Sequence, residues 1–261
     1  RLPYHVQVSK IQNPTDFLPG KEDEYVKILE EHSIMRKRKD VMPWLPVEEE
    51  PTKIRLPLTT AQQRYIKEMT EYYETEHVIV QGVLDQLLRL RQICLAPELL
   101  GLEGNSPKLQ WLNDYIKDYP EKSIIVFSKF TQFIHLLKEK IPQFEVLVGD
   151  VATDKRNQLI KDFQSGTIKL LAIQIDTGKE GITLDSADTL IFTDMFPPAS
   201  DILQAKDRIV ATSEDKNKSK EVIELMMADS YDEELYKLTH ARVESTDIAN
   251  NYIQYLKGVV K

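Results

Sequence analysis

Two short stretches of the chain combine residue types and spacings suited to phosphate chemistry. Gly178-Lys179-Glu180-Gly181 sets two glycines three residues apart, just after a β-branched apolar run. Glycine lets a backbone approach a phosphate closely and present its N–H groups. The stretch is not the phosphate-cradling G-x-x-x-x-G-K-S/T loop, and no such loop occurs in the 261 residues. Taken alone, the glycine pair reads equally as a plain turn. The second stretch, Gln204-Ala205-Lys206-Asp207-Arg208, follows Phe196-Pro197-Pro198. Gln204 and Arg208 are four apart and share one helix face. An arginine there can reach a nucleotide's phosphates and stabilise charge that develops during hydrolysis. On spacing alone, a surface ion pair among Lys206, Asp207 and Arg208 is the simpler reading.

Other reactive residue types are scattered. The five histidines (5, 32, 77, 135 and 240) pair with no Ser or Cys in a triad motif, and no His/Cys group has zinc-ligand spacing. Cys94 is the only cysteine, so an internal disulfide is excluded; it reads as a small buried apolar residue on a helix in a reducing, intracellular setting. Met35-Arg36-Lys37-Arg38-Lys39 is a basic run that can touch a phosphate backbone or form a solvated helix face. Lys216, Lys218 and Lys220 read as a flexible charged loop.

These residues need a scaffold, and the chain has the composition for one. Charged residues make up 29% and apolar residues 41%, ordinary values for a globular protein. No apolar run approaches the ~18 residues of a membrane span. The net charge of −8 is spread over both halves, which argues against binding nucleic acid through bulk positive charge but not against localised contacts. The first residues, Arg1-Leu2-Pro3, suggest a piece of a longer polypeptide.

Residues 1–104 read as mainly helical. Gln62 to Tyr73 and Gly82 to Leu95 are helical segments, with Val83, Leu84, Leu87, Leu88 and Leu90 along one side of the second. Lys53 to Leu58 alternates and is a candidate short strand. The stretch from Leu100 to Pro107, with two glycines, is the clearest break. Beyond it, strand and helix patterns alternate. Strands are expected at 123–127, 145–148, 169–175, 189–193 and 221–226, with helices at 131–140 and 154–163 and again from Tyr231. Such alternation predicts βαβ units and an α/β fold with a parallel sheet sandwiched by helices. Ligands in such sheets bind at the carboxyl ends of the strands. The loops there carry Ser128-Lys129, Gly149-Asp150, the 176–181 stretch, Asp194 and the 204–208 stretch.

Taken in order, these segments resemble the second ATPase lobe of the Swi/Snf-type, helicase-like DNA translocases. Leu87-Leu88-Arg89-Leu90-Arg91-Gln92-Ile93-Cys94 with Pro97-Glu98-Leu99 matches L-L-R-L-R-Q-I-C-x-x-P-x-L. Met35 to Val41 with Leu45-Pro46 resembles L-R-R-x-K-x-D-V…L-P. Leu58-Thr59, Gln62 and Tyr65 resemble L-T-x-x-Q-x-x-x-Y with shorter spacing, and Ser106 to Leu109 resembles S-x-K-L. Ile125 to Phe130 is similar to helicase motif IV. Gly149 with Arg156 to Phe163 is similar to the G-x-x-x-x-x-x-R…I-x-x-F segment. Gly178 to Leu184 is similar to motif V, and Gln204 to Arg208 to the start of motif VI.

The resemblance implies a RecA-like lobe at residues 105–230. A family-specific helical subdomain and connector would span 1–104, and a C-terminal helical segment 231–261. It further implies two lobes that close on ATP and Mg²⁺ and walk along double-stranded DNA. The other lobe of the same protein would carry the phosphate loop and the D-E-x-H box, so this chain would supply half an active site and be inactive alone. Gln204 and Arg208 would be catalytic, and Gly178, Gly181 and Asp207 would lie at the nucleotide. Ser128, Lys129, Gln174 and Lys179 would grip the DNA backbone, which needs few side chains. Two departures stand out. Ala211 replaces the second arginine of motif VI, and the loop after Asp194 lacks W-N-P. They keep open a degenerate, non-catalytic lobe that serves as a DNA or protein platform.

Overall fold

The computed structural model describes residues 51–75, 80–178, 184, 186–194 and 220–240, all within the compact unit Pro46–Lys261. Its elements in chain order are β1 (Thr52–Leu56), α1 (Thr60–Thr75), α2 (Val80–Leu95), a 3-10 turn (Pro97–Leu100), α3 (Pro107–Asp118) and β2 (Ile124–Ser128). There follow α4 (Thr131–Lys140), β3 (Glu145–Leu147), α5 (Thr153–Gln164), β4 (Leu170–Gln174), the one-turn α6 (Ile175–Gly178), β5 (Thr189–Phe192), β6 (Glu221–Met227) and α7 (Tyr231–His240).

The six strands form one sheet in the order β1-β6-β5-β2-β4-β3, and every pairing is parallel. The expected α/β sandwich is what folds. The candidate strand at 53–58 is β1, which pairs Thr52–Leu56 with Ile223–Met227. The sheet thus draws on residues from both sides of the 100–107 break. Helix α3, which the apolar pattern did not announce, starts at Pro107.

Why both faces are covered follows from the strands. In β2 all five residues are buried. Ile125 and Phe127 pack on one face, with Ile66 of α1, Leu90 and Ile93 of α2, Phe163 of α5 and Leu235 of α7. Ile124 and Val126 point the other way, toward Leu112 of α3 and Phe133 and Leu137 of α4. A strand with period-two side chains that is apolar at four successive positions, as Ile124 to Phe127 are, needs helices on both faces.

Local signals set the helix ends. Thr59 and Gln62 form a capping box: Gln62 N–H donates to Thr59 Oγ1, and Thr59 N–H donates to Gln62 Oε1. The Gln62 amide, fully buried, also donates to the Ile93 carbonyl at 2.9 Å and clamps α1 to the end of α2. Ser106 caps α3 by accepting from Leu109 N–H, donates to the Leu95 carbonyl at 2.6 Å, and is followed by Pro107 at the first helical position. Gly101 ends the 3-10 turn at φ +68°, a left-handed conformation that favours glycine.

Two sequence expectations change. Leu88 does not share the buried side of α2; it is 42% exposed, while Leu87, Leu90, Ile93 and Cys94 form the buried stripe. Residues 87, 90 and 94 follow the 3.6-residue period, and Leu88 is rotated about 100° from Leu87. Lys220 is not part of a free loop. It is half-buried, and its ammonium donates to the Ala187 carbonyl at 2.5 Å, beside the start of β5.

Cys94 is buried on α2, as its sequence context suggests. Burial pushes its thiol up to about 12, helped by the Asp232 carboxylate and opposed by the Lys108 ammonium. The reactive species is the thiolate. The native protein is therefore expected to show no rapid reaction with Ellman's reagent at mildly alkaline pH, and one thiol per chain after unfolding in guanidinium. A thiol that titrates quickly in the native state would contradict this burial.

Candidate nucleic-acid interface at the carboxyl edge of the sheet

The strand ends converge on one edge. β2 and β4 are neighbours, and their register pairs Ser128 with Gln174 at their last residues. β5 flanks β2 on the other side, and Thr193 and Asp194 follow it. Motif-bearing residues far apart in sequence therefore meet here, where α/β sheets bind ligands.

Asp194 organises this edge. Its side chain is 3% exposed and accepts from the Ser128 hydroxyl at 2.6 Å and from Lys129 N–H at 3.2 Å. The Arg91 guanidinium lies 3.5 Å from the Asp194 carboxylate and stacks 5.1 Å over the Phe130 ring. Thr193 Oγ1 donates to the Phe127 carbonyl at 3.0 Å, closing β5 against β2. Burial pushes the Asp194 carboxyl above the usual aspartate range, while Arg91 and the Ser128 hydroxyl favour its charged form. The backbone of the Ser128-Lys129 turn is thus held from beneath.

The Lys129 side chain leaves that turn toward the next loop. Its ammonium is in hydrogen-bonded ion-pair contact with Asp176 in α6. Helix α6 is itself anchored. Arg156 Nη2 donates to the Thr177 carbonyl at 2.7 Å, and Thr177 Oγ1 donates to Gln174 Oε1 at 3.4 Å. The arginine of the G…R…I-x-x-F segment thereby gains a physical role, since it caps the turn where the glycine loop begins. Gly149 faces Thr177 and Gln174 across the edge, where an added Cβ would meet their side chains at ordinary contact distances, 3.7 and 3.8 Å.

Of the expected site residues, Ser128, Lys129 and Gln174 come together at this edge, and Gly178 ends α6. Lys179, Gly181, Gln204, Asp207, Arg208 and Ala211 lie outside the described residues, as does the Met35–Lys39 run. Three residues that hold the edge were not among the expected site residues, although each lies in a segment singled out in the sequence: Arg91, Asp176 and Lys108. Lys108 is fully buried and donates to the Thr193 carbonyl at 2.6 Å and to Asp232 Oδ2 at 2.5 Å. Asp232 in turn accepts from Met227 N–H at 3.0 Å. One buried ion pair thus joins α3, α7 and the end of β5. Among the described residues no group of three or more His, Cys, Asp or Glu side chains is arranged to hold a metal ion. No helix among them is long and apolar enough to cross a membrane.

The family model described as the helicase conserved C-terminal domain matches residues 107–211. The Danio rerio chromodomain-helicase-DNA-binding protein 1-like is 26% identical over 252 residues, 88% of this chain but 24% of its own length. The chain therefore spans about a quarter of that relative. Among solved structures, the C-terminal part of the Fun30 ATPase domain superposes with a TM-score of 0.67 at 15% identity, covering 81% of this chain and 97% of that one. The Sulfolobus solfataricus SWI2/SNF2 ATPase core in complex with dsDNA superposes with a TM-score of 0.61 at 21% identity, covering 94% of this chain and 53% of that one. At those identities the structural likeness speaks for the fold alone. Residues 107–211 thus match the helicase conserved C-terminal domain, and the fold is similar to that of solved C-terminal SWI2/SNF2-type ATPase lobes.

Proposed function

We propose that this lobe is the second half of an ATP-dependent motor that moves along or remodels double-stranded DNA. In this reading residues 105–230 are the lobe, to whose sheet β1 is added from residues 1–104, the rest of 1–104 is the helical subdomain and connector, and residues 231–261 are a helical C-terminal segment. The observation that carries it is the edge built from Ser128, Lys129 and Gln174, with its turn ordered by the buried Asp194. A hydroxyl, an ammonium and an amide on a pre-formed backbone suit the phosphate contacts that position a protein on a duplex. Lys179 extends the same grip. The solved relative bound to dsDNA supports this choice of partner.

Gln204 and Arg208 face the nucleotide in this reading, with Asp207, Gly178 and Gly181 beside them. The sequence has no phosphate loop, and the described residues offer no metal-ligand cluster. ATP and Mg²⁺ are therefore assigned mainly to a first lobe of the same protein. Bound there, the nucleotide supplies the phosphoryl group that is cleaved. The residues of this lobe bind the duplex and present Arg208 to the phosphates. The setting is intracellular, where DNA and ATP are found.

An ATPase assay of the full-length protein, with and without duplex DNA, tests the reading. DNA-stimulated turnover is expected, and residues 1–261 alone are expected to hydrolyse nothing measurable. Turnover by the 261-residue chain would reject the division of labour. Ala211 favours a second reading, a non-catalytic lobe that binds DNA or protein. Under that reading the full-length protein binds duplex DNA and shows no stimulated hydrolysis.

A further inference from the structure

We propose that Asp176 sets how tightly this lobe binds duplex DNA, as an internal counter-ion that must release Lys129 before a backbone phosphate takes its place. The proposal rests on the reading of Lys129 as a DNA-gripping residue. The Lys129 backbone is held by Asp194, so its side chain swings from a fixed base. Its ammonium meets the Asp176 carboxylate, and the two side chains are 37% and 41% exposed, open to an incoming phosphate. The carboxylate does not follow the ammonium outward, because α6 is pinned through the Thr177 carbonyl by Arg156 and through its hydroxyl by Gln174.

A phosphate oxygen and a carboxylate oxygen offer a lysine the same kind of charge-assisted hydrogen bond. DNA binding here is thus an exchange of anionic partners, not the capture of an uncompensated cation. Releasing Asp176 also leaves its negative charge near the phosphate, within the Debye length of about 8 Å at physiological salt. Both effects lower affinity. Because the pair is solvent-exposed, each is modest.

The test is a titration of the full-length protein with a short fluorescent duplex, followed by anisotropy at several salt concentrations, for five proteins: parent, Asp176→Asn, Asp176→Ser, Lys129→Ala and the double variant of Lys129→Ala with Asp176→Asn. Asp176→Asn is expected to tighten binding about two- to fivefold, the range of an exposed ion pair. Asp176→Ser is expected to move affinity the same way, which guards against an accident of the amide. Lys129→Ala is expected to weaken binding and reduce the salt slope by about one. In the Lys129→Ala background the gain from Asp176→Asn should shrink to the part that comes from the carboxylate's repulsion of the phosphate, because the exchange acts through that ammonium. An equal gain in both backgrounds would be simple loss of negative charge and would overturn the proposal. So would an unchanged Kd for Asp176→Asn when Lys129→Ala binds more weakly. A Lys129→Ala protein with parental affinity and salt slope would instead reject the underlying DNA-grip reading, and the proposal with it.

Discussion

Lys108→Met is expected to cost this lobe about 3–5 kcal/mol of stability, the range for breaking one side of a buried ion pair. The Lys108 and Asp232 side chains are 1% and 3% exposed. Methionine fills the space of the lysine stem but cannot donate. Asp232 would be left in the interior with only the Met227 N–H among the donors its carboxyl has here, and the Thr193 carbonyl would lose the ammonium as well. Coulomb attraction and desolvation nearly cancel when both ions are present; removing one leaves the desolvation cost uncompensated. For a domain of this size the thermal midpoint should fall by about 10 °C. The double variant Lys108→Met with Asp232→Leu should recover part of the loss, because no buried charge then lacks a partner, although the Thr193 carbonyl and the Met227 N–H stay unsatisfied. Denaturant and thermal unfolding of the three proteins measure this. A single-variant cost under about 1 kcal/mol would show that the pair is solvated.

Lys108 also marks the limit of what the sequence reveals. Its helix was not announced by the apolar pattern, and a lysine directly after Pro107 looks like solvent-facing polar surface, since unpaired lysines are almost never fully buried. Its partner lies 124 residues away in α7. No local period encodes that meeting, which depends on β6 closing beside β5. The same holds for Arg91. Its helix is legible from apolar spacing, but its pairing with Asp194 exists only once β5 has docked beside β2. Leu88 shows the converse error: counting leucines in a helix overstates the buried face, because only those in phase with 87, 90 and 94 are covered.

By contrast, the strands were legible because burial on both faces leaves runs such as Ile124-Ile125-Val126-Phe127 with no polar alternation. From the strands the carboxyl edge follows, and from that edge Ser128 and Gln174 follow as neighbours. What stayed hidden was the electrostatics. Asp176 in the 176–181 loop and Lys129 after β2 are both visible as charges, but only the register of β2 on β4 brings them into contact. The acidic net charge thus has a local counterpart: a cation at the candidate DNA edge is already compensated.

The nucleotide side carries the largest expected kinetic effect. In the full-length protein, Arg208→Ala is expected to lower DNA-stimulated ATP turnover by about 10²-fold or more, roughly 2.7 kcal/mol of transition-state stabilisation. An arginine that meets the phosphates as charge develops acts mainly in the transition state, so the loss should fall on kcat, with KM for ATP and duplex affinity changing far less. The effect should be large here because Ala211 stands where the resemblance places a second arginine, so motif VI has no second guanidinium at that position. Restoring it with Ala211→Arg is expected to raise kcat in the parent and not to rescue Arg208→Ala fully, since the two groups would address different oxygens. Equal kcat for parent and Arg208→Ala rejects the assigned role. A loss of duplex affinity as large as the loss of kcat moves Arg208 from the nucleotide to the DNA side of the cleft. Absent turnover in the parent, with DNA binding intact, makes Ala211 the decisive substitution and the lobe a binding platform.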